Sequence, residues 1–156
     1  VGEIWPRVRA RLPDVELHLV GGDVSDDIRV LGDTPGVHVR GHVRDIDPLM
    51  DGCRVALAPL RYGAGVKGKV NLSMAYGQPV VATSCAVEGM HLDTGVDVLV
   101  ADDAEGFADA IVSAYTDQAT WERLSAGGLA NVERHFSFAA ASATLDRLLA
   151  ELLPAR

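Results

Sequence analysis

Nine consecutive residues, Arg61-Tyr62-Gly63-Ala64-Gly65-Val66-Lys67-Gly68-Lys69, set an arginine and two lysines among three glycines. They follow an almost continuous apolar run, Arg54 to Pro59, and lead into a helical pattern from Val66 to Tyr76. Glycine lets a backbone approach an anion closely. A helix start adds unpaired N–H groups and the positive end of its dipole, and lysines add compact charges for phosphate oxygens. The chemistry that suits such a loop is diphosphate binding. It is not a Walker A loop, because the spacing differs and Val70, not Ser or Thr, follows Lys69. A tight connection carrying solvated lysines would show the same pattern.

Other polar residues carry two readings each. Arg61 can grip a phosphate bidentately or pair with a surface carboxylate. Glu88, beside Gly89, can accept hydrogen bonds from sugar hydroxyls or cap a turn. Gly21-Gly22 and Gly41 close two further apolar runs, where they can shape a cleft wall or simply end strands. His42 follows Gly41 and can reach a base; His18 and His38 read as packed or edge histidines, and His91 and His135 as surface residues. No Ser-His-Asp arrangement can be assembled. The Asp26-Asp27 pair hints at a receiver domain, but the strand that would carry its phospho-accepting Asp ends in Pro59.

The elements that must position these groups alternate. Val15–Val20, Val37–Arg40, Arg54–Pro59, Pro79–Thr83 and Asp97–Ala101 read as strands, the third as one covered on both faces. Pro79 is tolerated because it opens its strand. Val1 to Arg11 reads as the inside of a helix, and Asp45–Asp51 as a short one. Val66–Tyr76 is a longer helix closed by Gly77, a natural residue past a helix end. Ala104–Tyr115, Gln118–Glu133 and Phe138–Leu153 complete the set, with Leu145, Leu148, Leu149 and Leu152 on one stripe that reads as a packing face, within the chain or against a domain absent from it. Trp5 and Trp121 read as core anchors. Alternating strands and helices imply right-handed crossovers and a parallel sheet, an α/β, Rossmann-like architecture. In such sheets ligands bind beyond the carboxyl ends of the strands, where all three glycine signals fall.

Composition narrows the function classes. The 156 residues suit one compact domain, and 48% hydrophobic with 23% charged residues excludes disorder. The net charge of −8 disfavours binding to nucleic acid or to anionic membrane. No apolar run approaches the roughly 18 residues of a membrane-spanning helix. Cys53 and Cys85 build no disulfide framework, and no Cys/His cluster has zinc spacing. A soluble, intracellular, reduced protein is expected, and, because it opens inside a helix without Met, a fragment.

The block PLRYGAGVKGKVNLSMAYGQPVVATSCAVEGM, Pro59 to Met90, resembles the nucleotide-sugar-binding half of the retaining group 1 (family 4-like) glycosyltransferases with the GT-B fold. Leu19-Val20-Gly21, Gly36-Val37 and Gly41-His42-Val43-Arg44-Asp45 fit the same pattern, so the resemblance spans almost the whole chain. It implies that residues 1–156 form the C-terminal, donor-binding domain, without the domain's first strand and without an N-terminal domain that binds the acceptor. The intact enzyme would transfer a sugar, of hexosyl type, from a nucleotide-diphosphate donor to an acceptor hydroxyl with retention. It would need no cofactor or metal, and would be cytoplasmic with or without peripheral membrane contact. The isolated chain would bind donor weakly and catalyse nothing, and a face meant for the missing domain would promote self-association.

The resemblance also assigns positions. The base would lie near Gly41 to Arg44, His42 and Val43 included, and Gly21 would belong to the same base, ribose and sugar group. Arg61, Gly63, Ala64, Gly65, Val66, Lys67 and Lys69 would hold the diphosphate, with Lys69 the first and Lys67 the second candidate for stabilising the leaving group. The ribose and sugar would lie towards the start of the Val66 helix and the Ala86 to Met90 turn, with Asn71, Glu88 and Gly89 as contacts. Two glutamates common in relatives fall at Ala64 and Leu72, so the usual clamp on ribose and sugar hydroxyls is missing or rebuilt, with Glu88 as a substitute. An Arg/Lys pair of relatives would sit upstream of Val1. Two other classes stay open: a 2-epimerase-like GT-B enzyme, and a non-catalytic Rossmann-like interaction domain whose site has decayed.

Overall fold

Short apolar runs separated by amphipathic ones fold as strands and helices in alternation. The computed structural model describes residues 1–153. Its elements are α1 (Ile4–Arg9), β1 (Leu17–Val20), α2 (Asp26–Arg29), β2 (Val37–Gly41), α3 (Asp47–Gly52), β3 (Ala56–Ala58), α4 (Gly68–Ala75), β4 (Val80–Ala82), α5 (Ser84–Val87), β5 (Leu99–Val100), α6 (Ala104–Thr116), α7 (Gln118–Phe136) and α8 (Phe138–Leu152). Every expected strand and helix is present, with ends moved by a few residues. The sequence reading missed α2, with the 3-10 turn Val30–Asp33 behind it, and α5. Elements this short show no full turn of apolar periodicity.

All strand pairs are parallel, as the alternation requires, but the strands form two ladders. β1 pairs with β2 in the register Leu17↔Val37, slipping at Val20↔Gly41. β3, β4 and β5 pair through Ala56↔Val80 and Val81↔Leu99. One apolar core nevertheless joins the ladders: Trp5 and Val8 of α1, Val37 of β2, Val81 of β4, Phe107 and Ile111 of α6 and Leu124 of α7 pack together. A second cluster, with Val70 and Met74 of α4, Val80, Ala82, Met90 and Val98, lies under the glycine-rich loop. Val80, Val81 and Ala82 are all buried, which is what helices on both faces of a parallel sheet demand.

Trp5 is a core anchor, 5% exposed, with its indole N–H on the Pro35 carbonyl at 3.0 Å. Trp121 is half-buried and fastens an edge: its indole donates to the Arg54 carbonyl at 2.9 Å, and the Arg54 guanidinium lies over its ring. The α8 stripe does not pack against the described residues. Leu145, Leu148, Leu149 and Leu152 are 56%, 46%, 44% and 75% exposed, and no described residue of α8 is buried.

Two adjacent glycines let α7 pack closely. A Cβ on Gly127 would stand 2.5 Å from the Val96 carbonyl oxygen, and one on Gly128 would stand 2.9 Å from Met74 Cγ. Alanine in a helix interior ordinarily stabilises by about 1 kcal/mol over glycine. At Gly127 the obstacle is backbone, so Gly127→Ala is expected to lower the melting temperature. A rise in a thermal melt would show that the Val96 loop yields.

Candidate functional site

The β3–α4 connection is built as the sequence suggests, with one consequential difference. The helix expected from Val66 begins at Gly68, because Lys67 has the non-helical φ −90°, ψ 89° of a cap residue. Arg61 to Val66 are therefore exposed loop, with Gly65 at φ +68°, a left-handed conformation that suits glycine. Lys69 is exposed, whereas Lys67 is 7% exposed. The two lysines are not equivalent mobile charges: Lys67 folds beneath its own loop, its Nζ donating to the Gly65 carbonyl at 2.8 Å. Among the described residues no carboxylate forms an ion pair with Lys67, Lys69 or Arg61. Burial with a single carbonyl partner leaves an ammonium short of compensation, and an anion on the loop would supply it.

The Glu88 turn lies against this loop. Glu88 (φ −56°, ψ 125°) and Gly89 (φ +73°) occupy the corners of a type II turn closed by Met90 N–H on the Val87 carbonyl at 3.0 Å. The turn places the Glu88 side chain in solvent and the Met90 side chain in the core. Met90 Sδ then accepts the backbone N–H of Lys67 at 3.3 Å. The turn that presents Glu88 to solvent is thus bonded, through Met90, to the residue that caps α4. On α4, Asn71 is half-buried with its Oδ1 buried and unpartnered, and Leu72 is 42% exposed.

A second group gathers at the ends of β1 and β2. Gly21 N–H donates to the Gly41 carbonyl at 3.0 Å, and a cleft of about 160 Å³ opens beside it between Leu19, Val20, Gly21, Gly22, Val24 and Ile28. His42 is exposed and Val43 half-buried. Both groups lie at the carboxyl ends of parallel strands, where α/β sheets bind ligands. His18 and His38 stack at 5.1 Å with Glu16 beside both. Burial, then Arg40 and His38, hold the His18 imidazole below its ordinary range. His91 and His135 are exposed and stack on each other at 4.5 Å.

Sequence reasoning missed Asn131, and it read Met90 only as the end of the Ala86 to Met90 turn. The signal was present in α7: Thr120, Leu124, Gly128 and Asn131 form its buried stripe, and the asparagine there is out of place.

Residues 1–117 match the family of glycosyl transferases group 1. The chain belongs to that family. Similar folds are found in HepE of Anabaena, solved with UDP and glucose (19% identity, TM-score 0.72, covering 95% of this chain and 44% of that one). They also occur in sucrose-phosphate synthase of Thermosynechococcus elongatus (23% identity, TM-score 0.76, 99% and 42%). A third is the C-terminal domain of the group 1 glycosyl transferase LpcC of Francisella tularensis (12% identity, TM-score 0.71, 88% and 80%). The chain thus spans less than half of HepE or sucrose-phosphate synthase. A comparison with curated proteins returned no match. The α/β, GT-B-type architecture expected for this glycosyltransferase family is the one observed. No described helix is long and apolar enough to cross a membrane.

Proposed function

We propose that this domain binds the nucleotide-diphosphate sugar of a two-domain, retaining group 1 glycosyltransferase, with the acceptor held by another domain. The observation that carries the reading is Lys67: a residue only 7% exposed, its ammonium bonded to the Gly65 carbonyl and, among the described residues, to no carboxylate, under an exposed glycine loop at a helix start. The diphosphate lies on the Gly63–Lys69 loop, the base beside Gly21, Gly41 and His42, and the sugar towards Glu88. As the bond from the anomeric carbon to the diphosphate breaks, charge grows on the leaving oxygen. Lys67, Lys69 and the free N–H groups of the first turn of α4 stabilise it. The acceptor oxygen forms the new bond to the anomeric carbon on the face the diphosphate leaves, and its proton passes to the departing diphosphate oxygen, which has gained the electron pair of the broken bond. Glu88, exposed at the turn corner, takes over hydroxyl binding that Ala64 and Leu72 do not provide.

The separation of β1–β2 from β3–β5 supports one further parallel strand between the ladders in the intact protein. UDP in the HepE structure supports a nucleotide-diphosphate donor.

A thermal-shift titration with UDP, GDP, ADP and dTDP tests the reading. A ligand that binds only the folded state stabilises it by about 2.7 kcal/mol at a hundredfold excess over Kd. A shift with one nucleotide, diminished in Lys69→Ala, is expected and names the base. No shift with any of the four favours the non-catalytic interaction domain.

A further inference from the structure

The Gly63–Lys69 loop is tied to a helix that contributes no residue to the proposed site. Asn131 lies on the buried stripe of α7, 4% exposed, and its Nδ2 donates to the Met90 carbonyl at 3.0 Å. Met90 is fully buried and its Sδ accepts the Lys67 N–H at 3.3 Å. Lys67 is the cap residue of α4 and has no side-chain capping bond. Three buried groups therefore run in sequence from α7, through the turn that presents Glu88, to the start of the phosphate-facing helix.

This chain is costly for packing alone. An asparagine in an apolar stripe loses hydration, and its Oδ1 finds no partner. A thioether is a weak acceptor, so its bond to Lys67 adds little stability. What the arrangement does supply is position: the carbonyl of Met90 is held by one partner and its sulfur by another, so the loop and the turn cannot shift independently. Displacement of a binding or reacting group by about 1 Å can cost on the order of 100-fold in function.

We propose that Asn131 and Met90 are positioning residues that hold the Lys67 backbone and the Glu88 turn in register for diphosphate binding. The inference rests on the diphosphate reading of the loop. Its test is an NMR titration of the Gly63–Lys69 amides with inorganic pyrophosphate and with UDP, GDP, ADP and dTDP, each beside its parent nucleoside. Met90→Leu keeps the volume and removes the acceptor; Asn131→Leu cuts the other end.

In Met90→Leu, the Kd for pyrophosphate and for the bound nucleoside diphosphate is expected to rise about tenfold. Nucleoside affinity and melting temperature should change little, and the Lys67 amide should exchange faster. A purely structural role would not separate diphosphate from nucleoside. Unchanged diphosphate affinity in Met90→Leu, with the wild type binding normally, overturns the positioning role and leaves the site reading intact. A wild-type chain that binds none of the diphosphates overturns the reading of the site, and this inference with it. Asn131→Leu is expected to match Met90→Leu if it folds, and folded Asn131→Leu with wild-type diphosphate affinity removes Asn131 from the chain.

Discussion

Lys67→Met is expected to weaken nucleoside diphosphate binding about 100-fold while raising the melting temperature of the free domain. The two effects have one cause. Lys67 is 7% exposed and its ammonium rests on a single carbonyl, that of Gly65. A buried charge without a counter-charge destabilises the fold, and methionine fills similar space without that cost. With a diphosphate bound, the same ammonium makes a charge-assisted hydrogen bond in a partly dry site, and losing it costs about 3 kcal/mol. Lys69 is exposed, so Lys69→Met is expected to cost less in binding and to leave stability almost unchanged. Calorimetric titration and a thermal melt on both variants check this. Stability lost in Lys67→Met together with unaltered binding would make Lys67 a packing residue and remove the main support for the phosphate site.

Phe107→Ala is expected to give the largest loss of stability. Its side chain is 2% exposed in α6, in the cluster that joins α1, β2, β4 and α7. Truncating a buried phenylalanine costs about 3–5 kcal/mol, which for a domain of this size lowers the melting temperature on the order of 10 °C. The shape of the transition is as informative as its midpoint. The ladders share no backbone hydrogen bond, so the common core is what joins them. One cooperative transition is expected in wild type and variant, by circular dichroism and by calorimetry. Two transitions in either protein would mean that the ladders fold as separate units.

Much of this was legible in order and spacing. Apolar runs such as Val80 to Ala82, fully buried in the fold, are too short for helices and too apolar for a half-exposed sheet. Gly77, at φ +71°, ends α4 where it was expected to, because few other residues reach that conformation cheaply. The loop from Arg61 to Lys67 sits between strand and helix as its glycines imply. Less legible were α2 and α5, at four residues each, and the exposure of the α8 leucines. A stripe at helical spacing states which side of a helix is apolar; it does not state what lies against that side.

The residues by themselves therefore determined the α/β class, the parallel pairing, the family and the place of the glycine-rich loop between a strand and a helix. These depend on local period, backbone freedom and chain order. Only the tertiary structure distinguished Lys67 from Lys69, two positions apart at the start of α4, because burial depends on what packs above a side chain. It alone brought Asn131 within hydrogen-bond distance of Met90, 41 residues away, and Met90 to the Lys67 amide, 23 residues away. Contacts at that separation are made by the packing of α7 against α4, and no periodicity along the chain encodes them.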